Sequence, residues 1–334
     1  MRDPVTDFPY PEEWVRSCRS DADRALAASG LGVLTSSGKV LRRGCTTGTT
    51  AAAAAKAAIL SLRSPVSSVE IRVPCGLIVT VTVQAKEGSA ICTKDAGDHP
   101  RDVTAGVEIH ARAIRSAGGI RIDAGEGIGR FAREVPGHRK GDAAISDPAM
   151  GCILNEAKKA ALMAGIPGAA VTLSVPEGKA LAVRTLNPRV GIEGGISILG
   201  TTGLVEPWDD HLAESVRDRV VVADRPVVTT GRIGLRYARM LYPDRDVILA
   251  GGRIGEALDA ARGEVTLFGL PGLILRFLDP SILEGTGCAT VAELEERPEF
   301  PPLMRRVVNR YQASHPNVTV VIVDRQGRVL GGPP

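Results

Sequence analysis

Five consecutive alanines at positions 51–55, with Lys56, Ala57 and Ala58 behind them, constrain this chain more than any other stretch. Alanine is the strongest helix former, so the run is expected to be helical and to pack through small residues. Immediately before it stands Arg43-Gly44-Cys45-Thr46-Thr47-Gly48-Thr49-Thr50, a Gly/Thr-rich loop emptying into the first helical turn. A threonine hydroxyl there accepts a hydrogen bond from an otherwise unpaired N–H, and Thr49 or Thr50 is the expected cap. Gly44 and Gly48 open backbone conformations that let several N–H groups converge on one point. With the partial positive charge of a helix N-terminus, this favours a bound phosphate or carboxylate. The alternative is a capped helix without a ligand. The glycine and Gly-Lys spacing of a Walker phosphate loop is absent.

A chain of 334 residues is expected to form about two domains. Aromatic residues make up only 3%, against 38 glycines. That argues against a reader of single-stranded nucleic acid, because such proteins stack bases on aromatic side chains. The formal net charge of +3 is too small for the footprint of a DNA-binding domain. Cys18, Cys45, Cys75, Cys92, Cys152 and Cys288 lie far apart without a C-x-x-C pair, as expected of reduced thiols in a cytosol. The histidines are equally scattered, so no protein-bound metal is expected. No run approaches the length of a membrane span, and the first residues lack the apolar core of a secretory signal. The chain is therefore read as cytoplasmic, without nucleic-acid or membrane partners.

Along the chain, residues 1–39 read as an appended arm with a helical patch at 14–28. Past the alanine helix, Ser64-Pro65 is expected to end the helical run. Residues 69–73 and 77–84 then form a hairpin around Pro74-Cys75-Gly76. The segment Lys94-Asp95-Ala96-Gly97-Asp98-His99-Pro100-Arg101-Asp102 crowds acids and bases onto a loop. It is either a solvated face or a polar clamp, in which Lys94 and Arg101 meet ligand carboxylates while Asp95 or Asp98 handles a proton. Residues 107–117 read as a short helix and 120–123 as a strand. Asp147-Pro148 opens a helix running to 164, and 170–175 is a strand. Gly125, Gly127 and Gly129 alternate at a spacing that is not a dinucleotide fingerprint. Later, Gly200-Thr201-Thr202-Gly203 echoes Thr46-Thr47-Gly48-Thr49. Two such loops either grip one ligand from two sides or are ordinary tight turns.

From about residue 209 the texture changes. A helix at 211–218 is followed by apolar runs at 220–223 and 227–230. Gly231-Arg232-Ile233-Gly234 then opens a helix at 235–241. A strand at 247–250 leads through Gly251-Gly252-Arg253-Ile254-Gly255 to a helix at 256–261. A third strand, 265–268, meets Gly269-Leu270-Pro271-Gly272, and a last strand spans 318–323. This rhythm predicts a parallel sheet with helices on its faces and a ligand at the carboxyl ends of its strands. A nucleotide-like cofactor suits such turns. The acid that ordinarily ends the second strand is replaced by Ala250-Gly251-Gly252, which argues against ordinary ribose recognition.

Three segments resemble one known family. They are Arg43-Gly44-Cys45-Thr46-Thr47-Gly48-Thr49 with its alanine helix, Lys94-Asp95-Ala96-Gly97-Asp98-His99-Pro100 with Asp102-Val103-Thr104, and the stretch from Gly191 through Gly200-Thr201-Thr202-Gly203 to Pro207. In this order they resemble the cobalt-precorrin-5B C1-methyltransferases, the CbiD family. The likeness covers roughly residues 41 to 262. Beyond that it fades, with Gly285-Thr286-Gly287-Cys288-Ala289-Thr290 standing where the family carries a His-containing segment.

The resemblance implies methyl transfer from S-adenosylmethionine to C1 of a corrinoid precursor whose cobalt belongs to the substrate. It also implies a CbiD-like two-domain fold, α+β and α/β, distinct from the larger group of tetrapyrrole methylases. On this reading an N-terminal α+β domain, 40–205, binds the corrinoid through Thr46, Thr47, Gly48, Thr49, Lys94, Gly97, Gly200, Thr201 and Thr202. A C-terminal Rossmann-like parallel α/β domain, 206–334, holds S-adenosylmethionine through Thr229, Thr230, Gly231, Gly234, Gly251 and Gly255. Asp95 and Asp98 are the candidates for any proton transfer. The alternatives are a divergent methyltransferase acting on another tetrapyrrole, a non-catalytic corrinoid carrier and a dinucleotide-dependent reductase. Homo-oligomerisation is left open.

Overall fold

The computed structural model describes residues 1–135, 137–208 and 216–333. They divide into two compact units. One is inserted, Arg42–Asp209, and the other is built from both ends of the chain, Met1–Leu41 with Asp210–Pro334.

The inserted unit is organised around helix α1, Thr47–Leu60, in which residues 47–59 are all buried. Its cap is Thr46, one turn earlier than expected: in extended conformation, Thr46 accepts from the Thr49 N–H at 3.2 Å. Thr49 and Thr50 are thereby drawn into the helix. Strands β1 (Val66–Arg72), β2 (Ile78–Lys86), β3 (Ser89–Thr93), β4 (Glu108–Arg115) and β5 (Gly119–Ala124) follow. Helix α2, Asp147–Ala164, begins at Pro148 and stops at Gly165, whose φ of 61° is a left-handed C-cap. Strand β6, Gly168–Ser174, then inserts between β4 and β5, giving the order β1-β2-β3-β4-β6-β5. Only the β6–β5 pair is parallel. The helix expected at 107–117 is β4. Glu108-Ile109-His110-Ala111-Arg112-Ala113 alternates outward and inward, with Ile109, Ala111 and Ala113 buried. That period of two overrides the helical preference of its alanines.

Alanine makes α1 thin enough to pack closely against α2, and one charged pair is enclosed between them. Lys56 Nζ donates to Glu156 Oε2 at 2.7 Å and to the Glu70 carbonyl at 2.6 Å. Lys159 holds the other Glu156 oxygen at 2.5 Å, and the Glu156 side chain is 1% exposed. Burial alone would raise the Glu156 carboxyl. The hydrogen bonds and charges of Lys159 and Lys56 outweigh it and hold the group below its ordinary range.

In the terminal unit, helix α3 (Gly231–Leu241) joins β7 (Val227–Thr229) to β8 (Val247–Leu249), and α4 (Pro271–Leu278) follows β9 (Val265–Gly269). After α5 (Val291–Glu295) and a helix over Phe300–Ser314 come β10 (Val318–Val323) and β11 (Val329–Gly331). The sheet order is β8-β7-β9-β10-β11, parallel except for the last strand. Val228, Ile248, Leu267 and Val320 form a row on one face, within a core that includes Ile254, Ile274, Val291 and Met304. The expected apolar run at 220–223 belongs to helix Val216–Val222 rather than to a strand. The first residues of the helix expected at 211–218, up to 215, lie outside the described residues.

The helical patch expected at 14–28 is two helices, Glu12–Ser17 and Asp21–Ala28, because the Ser20 hydroxyl caps a second start by accepting from the Asp23 N–H. This N-terminal segment packs within the terminal unit. The Phe8 and Tyr237 rings lie 5.3 Å apart, and the Ser36 N–H donates to the Met240 carbonyl at 2.8 Å. Among the described residues no helix is long and apolar enough to cross a membrane.

Candidate functional site

The three motifs singled out in the inserted unit come together on one short strand. Gly44–Cys45 pairs antiparallel with Leu204–Val205. On its other side the Cys45 N–H donates to the Asp95 carbonyl at 2.7 Å, and Arg43 bridges to Gly97. Gly97 has φ +62°, and a Cβ there would stand 2.5 Å from the Arg42 carbonyl, so glycine is what permits the contact.

What the motifs hold, however, is each other. The Thr47 hydroxyl accepts from the Leu199 N–H at 2.8 Å, and the Gly48 N–H donates to the Leu199 carbonyl at 2.8 Å. The Thr49 hydroxyl donates to the Gly203 carbonyl at 2.6 Å, and that same carbonyl receives the Thr46 N–H. A Cβ on Gly200 would meet the capping Thr46 hydroxyl at 2.6 Å. Thr47 and Thr49 are buried. Thr202 is half-buried, its hydroxyl turned back onto its own loop, while Thr201 is exposed.

Lys94 is also committed. It is 3% exposed and ion-paired with Asp102. Burial would raise Asp102, but its bonds to Lys94 and Thr104 prevail and lower it. Asp95 and Asp98 are exposed and share Arg42. The Arg42 guanidinium approaches Asp95 at 3.3 Å, and the Arg42 N–H donates to Asp98 Oδ2 at 2.7 Å. Arg43 is buried against Glu206 at 3.2 Å.

Cys45, Cys92 and Cys152 are poor nucleophiles. Burial, with a smaller contribution from Asp95, pushes the Cys45 thiol up to about 11, and burial pushes Cys92 up to about 12 and Cys152 up to about 11. At pH 8 the thiol form of Cys45 therefore predominates. Iodoacetamide at that pH should spare these three thiols in the folded chain and modify them in denaturant. Mass spectrometry showing rapid native modification of Cys45 would contradict that burial.

An open cavity lies in the terminal unit. Strand β7 is an inner strand: the chain leaves it for β8 on one side and returns as β9 on the other, so the turns beyond β7 and β9 diverge. Such a reversal of strand order leaves a crevice at the carboxyl ends of the strands. A cavity of about 480 Å³ opens there, lined by Thr230-Gly231-Arg232-Ile233-Gly234, Leu270-Pro271-Gly272-Leu273, Arg276, Thr290, Val291, Ala292, Glu295 and Arg325. The N-termini of α3 and α4 both contribute to it. Ile233 and Leu273 are 40% and 56% exposed, apolar surface at the cavity that a ligand would cover.

Of the residues expected to hold a cofactor, Thr230, Gly231 and Gly234 line this cavity, while Gly251, in the turn after β8, and Gly255, in the helix Ile254–Ala260, do not. Thr229 lies beneath it. Its hydroxyl is fully buried with no hydrogen-bond partner among the described groups, and a Cβ on Gly234 would come within 2.6 Å of it. Sequence reasoning missed Arg276, Glu295 and Arg325 as site residues. The Pro271-Gly272 step after a buried strand signals the α4 turn, but nothing local distinguishes Glu295 on its one-turn helix. Among the described residues no three His, Cys, Asp or Glu side chains gather as a metal site would require.

A sequence model of the CbiD family matches residues 34–207. The cobalt-precorrin-5B C(1)-methyltransferase of Methanoregula boonei is 55% identical over the whole of both chains. That of Methanoculleus marisnigri is 53% identical, again end to end. The likeness therefore does not stop near residue 262 but includes the cavity. The 1.9 Å crystal structure of the cobalamin biosynthesis protein (cbiD) from Archaeoglobus fulgidus superposes with a TM-score of 0.57 at 40% identity, covering 83% of this chain and 92% of that one.

Proposed function

The chain belongs to the CbiD family, and from that premise we propose that it methylates C1 of cobalt-precorrin-5B with S-adenosylmethionine to give cobalt-precorrin-6A. The observation that carries this reading is the end-to-end match to relatives bearing that activity in their names. The cobalt enters with the macrocycle. Residues 210–334 are read as a Rossmann-like domain whose crevice takes the methyl donor.

The crevice suits that donor. Its volume falls within the 300–1,000 Å³ usual for small-ligand sites. Its walls join apolar side chains to a few charged ones, and the buried Thr229 hydroxyl beneath it has no partner. When bound, S-adenosylmethionine supplies an electrophilic methyl on a sulfonium and leaves as a neutral thioether. The protein's task is then alignment and the exclusion of water. The N–H groups opening α3 and α4, with Arg232, face the donor's carboxylate, and Ile233, Leu270 and Leu273 cover its apolar parts.

In the inserted unit, the hydrogen bonds of Thr46, Thr47, Gly48 and Thr49 and the Lys94 ion pair fix loop shape. The macrocycle's acetate and propionate groups are read as meeting the exposed groups carried by those loops, Arg42, Arg101 and Thr201. Asp95 and Asp98, exposed beside Arg42, are the candidates to accept a proton. Incubation with cobalt-precorrin-5B and methyl-labelled donor tests the reading. Label is expected at C1, and label at another carbon, or none, overturns it.

A further inference from the structure

The donor needs its ribose recognised, and a carboxylate is the usual acceptor for two vicinal hydroxyls. After β8, where that acid ordinarily stands, the chain has Ala250-Gly251-Gly252. We propose that Glu295, at the end of α5, replaces it and accepts the ribose hydroxyls of the methyl donor in the cavity beside β7 and β9. The proposal rests on the reading of that cavity as the donor site.

Glu295 is the one carboxylate among the residues lining the cavity. It also lines an adjoining cavity of about 450 Å³, so it stands on the wall between the two. The opposite character prevails where α3 and α4 begin, with two helix N-termini and Arg232. An anionic carboxylate belongs at that end, which leaves the acidic wall for neutral hydroxyl donors. Arg325 shares the wall; burial, with a smaller contribution from Asp324, raises the Glu295 carboxyl above its ordinary value, and the Arg325 charge offsets only part of that rise. A carboxylate bonded to hydroxyls makes charge-assisted hydrogen bonds, stronger than neutral ones.

Calorimetry on the full chain separates this assignment from its rivals. The ligands are S-adenosylhomocysteine and 5′-methylthioadenosine, which keeps the ribose but lacks the amino-acid end. The proteins are the parent, Glu295→Ala, the near-isosteric Glu295→Gln, and Gly272→Phe, which fills the cavity. Glu295→Ala should weaken both ligands alike, by roughly 10- to 100-fold, with Glu295→Gln between it and the parent. Weakening of S-adenosylhomocysteine alone would place Glu295 on the ammonium and overturn the assignment. Unchanged affinity for both, with binding abolished by Gly272→Phe, would overturn the role of Glu295 and leave the donor site standing. Unchanged affinity in Gly272→Phe, or no binding by the parent, would remove the donor site and the assignment with it.

Discussion

Gly272→Phe should bind S-adenosylhomocysteine at least about 100-fold more weakly than the parent chain, a loss of roughly 3 kcal/mol or more, without loss of stability. Gly272 is the second residue of α4 and lines the cavity, and a Cβ built there meets no atom within 4 Å. A benzyl group would therefore enter open space and occupy volume the ligand needs. Phenylalanine is a better helix former than glycine, so the melting temperature should hold. This position is a better probe than Gly234, where any side chain collides with the Thr229 hydroxyl and a loss of binding would be confounded with misfolding. Calorimetry paired with a thermal melt decides the matter. Retained affinity in a well-folded variant would mean the donor binds elsewhere.

The second large effect concerns stability. Glu156→Ala should destabilise the inserted unit by about 3–5 kcal/mol, because it leaves the Lys56 ammonium buried with only the Glu70 carbonyl as partner. For a unit of this size that is a fall of roughly 10 °C in melting temperature. Lys56→Met combined with Glu156→Leu should recover most of it, since replacing both partners leaves no buried charge.

The pair also sets a pH dependence. The Glu156 carboxyl is held below its ordinary 4.5 in the folded chain. Its contribution is therefore present above that value and is lost as pH falls through the lower folded value. Urea unfolding at pH 7 and at about pH 3 should show the parent losing its advantage over Glu156→Ala in acid. A cost below about 1 kcal/mol at pH 7 would show that the pair is not sealed from water.

The legible parts of the fold were those where one physical signal acted alone. The alanine run could only be a helix, and residues 247–249 and 265–268, short β-branched and apolar runs with glycine close behind, read as buried strands. Residues 107–117 misled because alanine's helical preference and an alternating pattern point in opposite directions, and burial of Ile109, Ala111 and Ala113 decides between them. At the candidate site, the glycine turns after β7 and β9 were visible as turns. Their convergence on one crevice depends on β8 and β9 flanking β7, a pairing that no local pattern encodes. The Thr/Gly motifs were recognised as belonging together. That the partner of Thr47 and Gly48 is Leu199, rather than a ligand, is a long-range fact that residue types cannot supply.

Because the unit holding the crevice is assembled from Met1–Leu41 and Asp210–Pro334, its two pieces leave the ribosome far apart in time. At about 5–20 residues per second the first piece waits roughly 15–60 s for the end of the second. Arg42–Asp209 is complete well before then and is free to collapse while the nascent chain is still tethered. Phe8, which packs on Trp14 of its own piece and on Tyr237 of the other, is without Tyr237 until the second piece emerges. Synthesis halted once residue 209 has cleared the ribosome should thus yield a protected middle and a protease-sensitive leading segment.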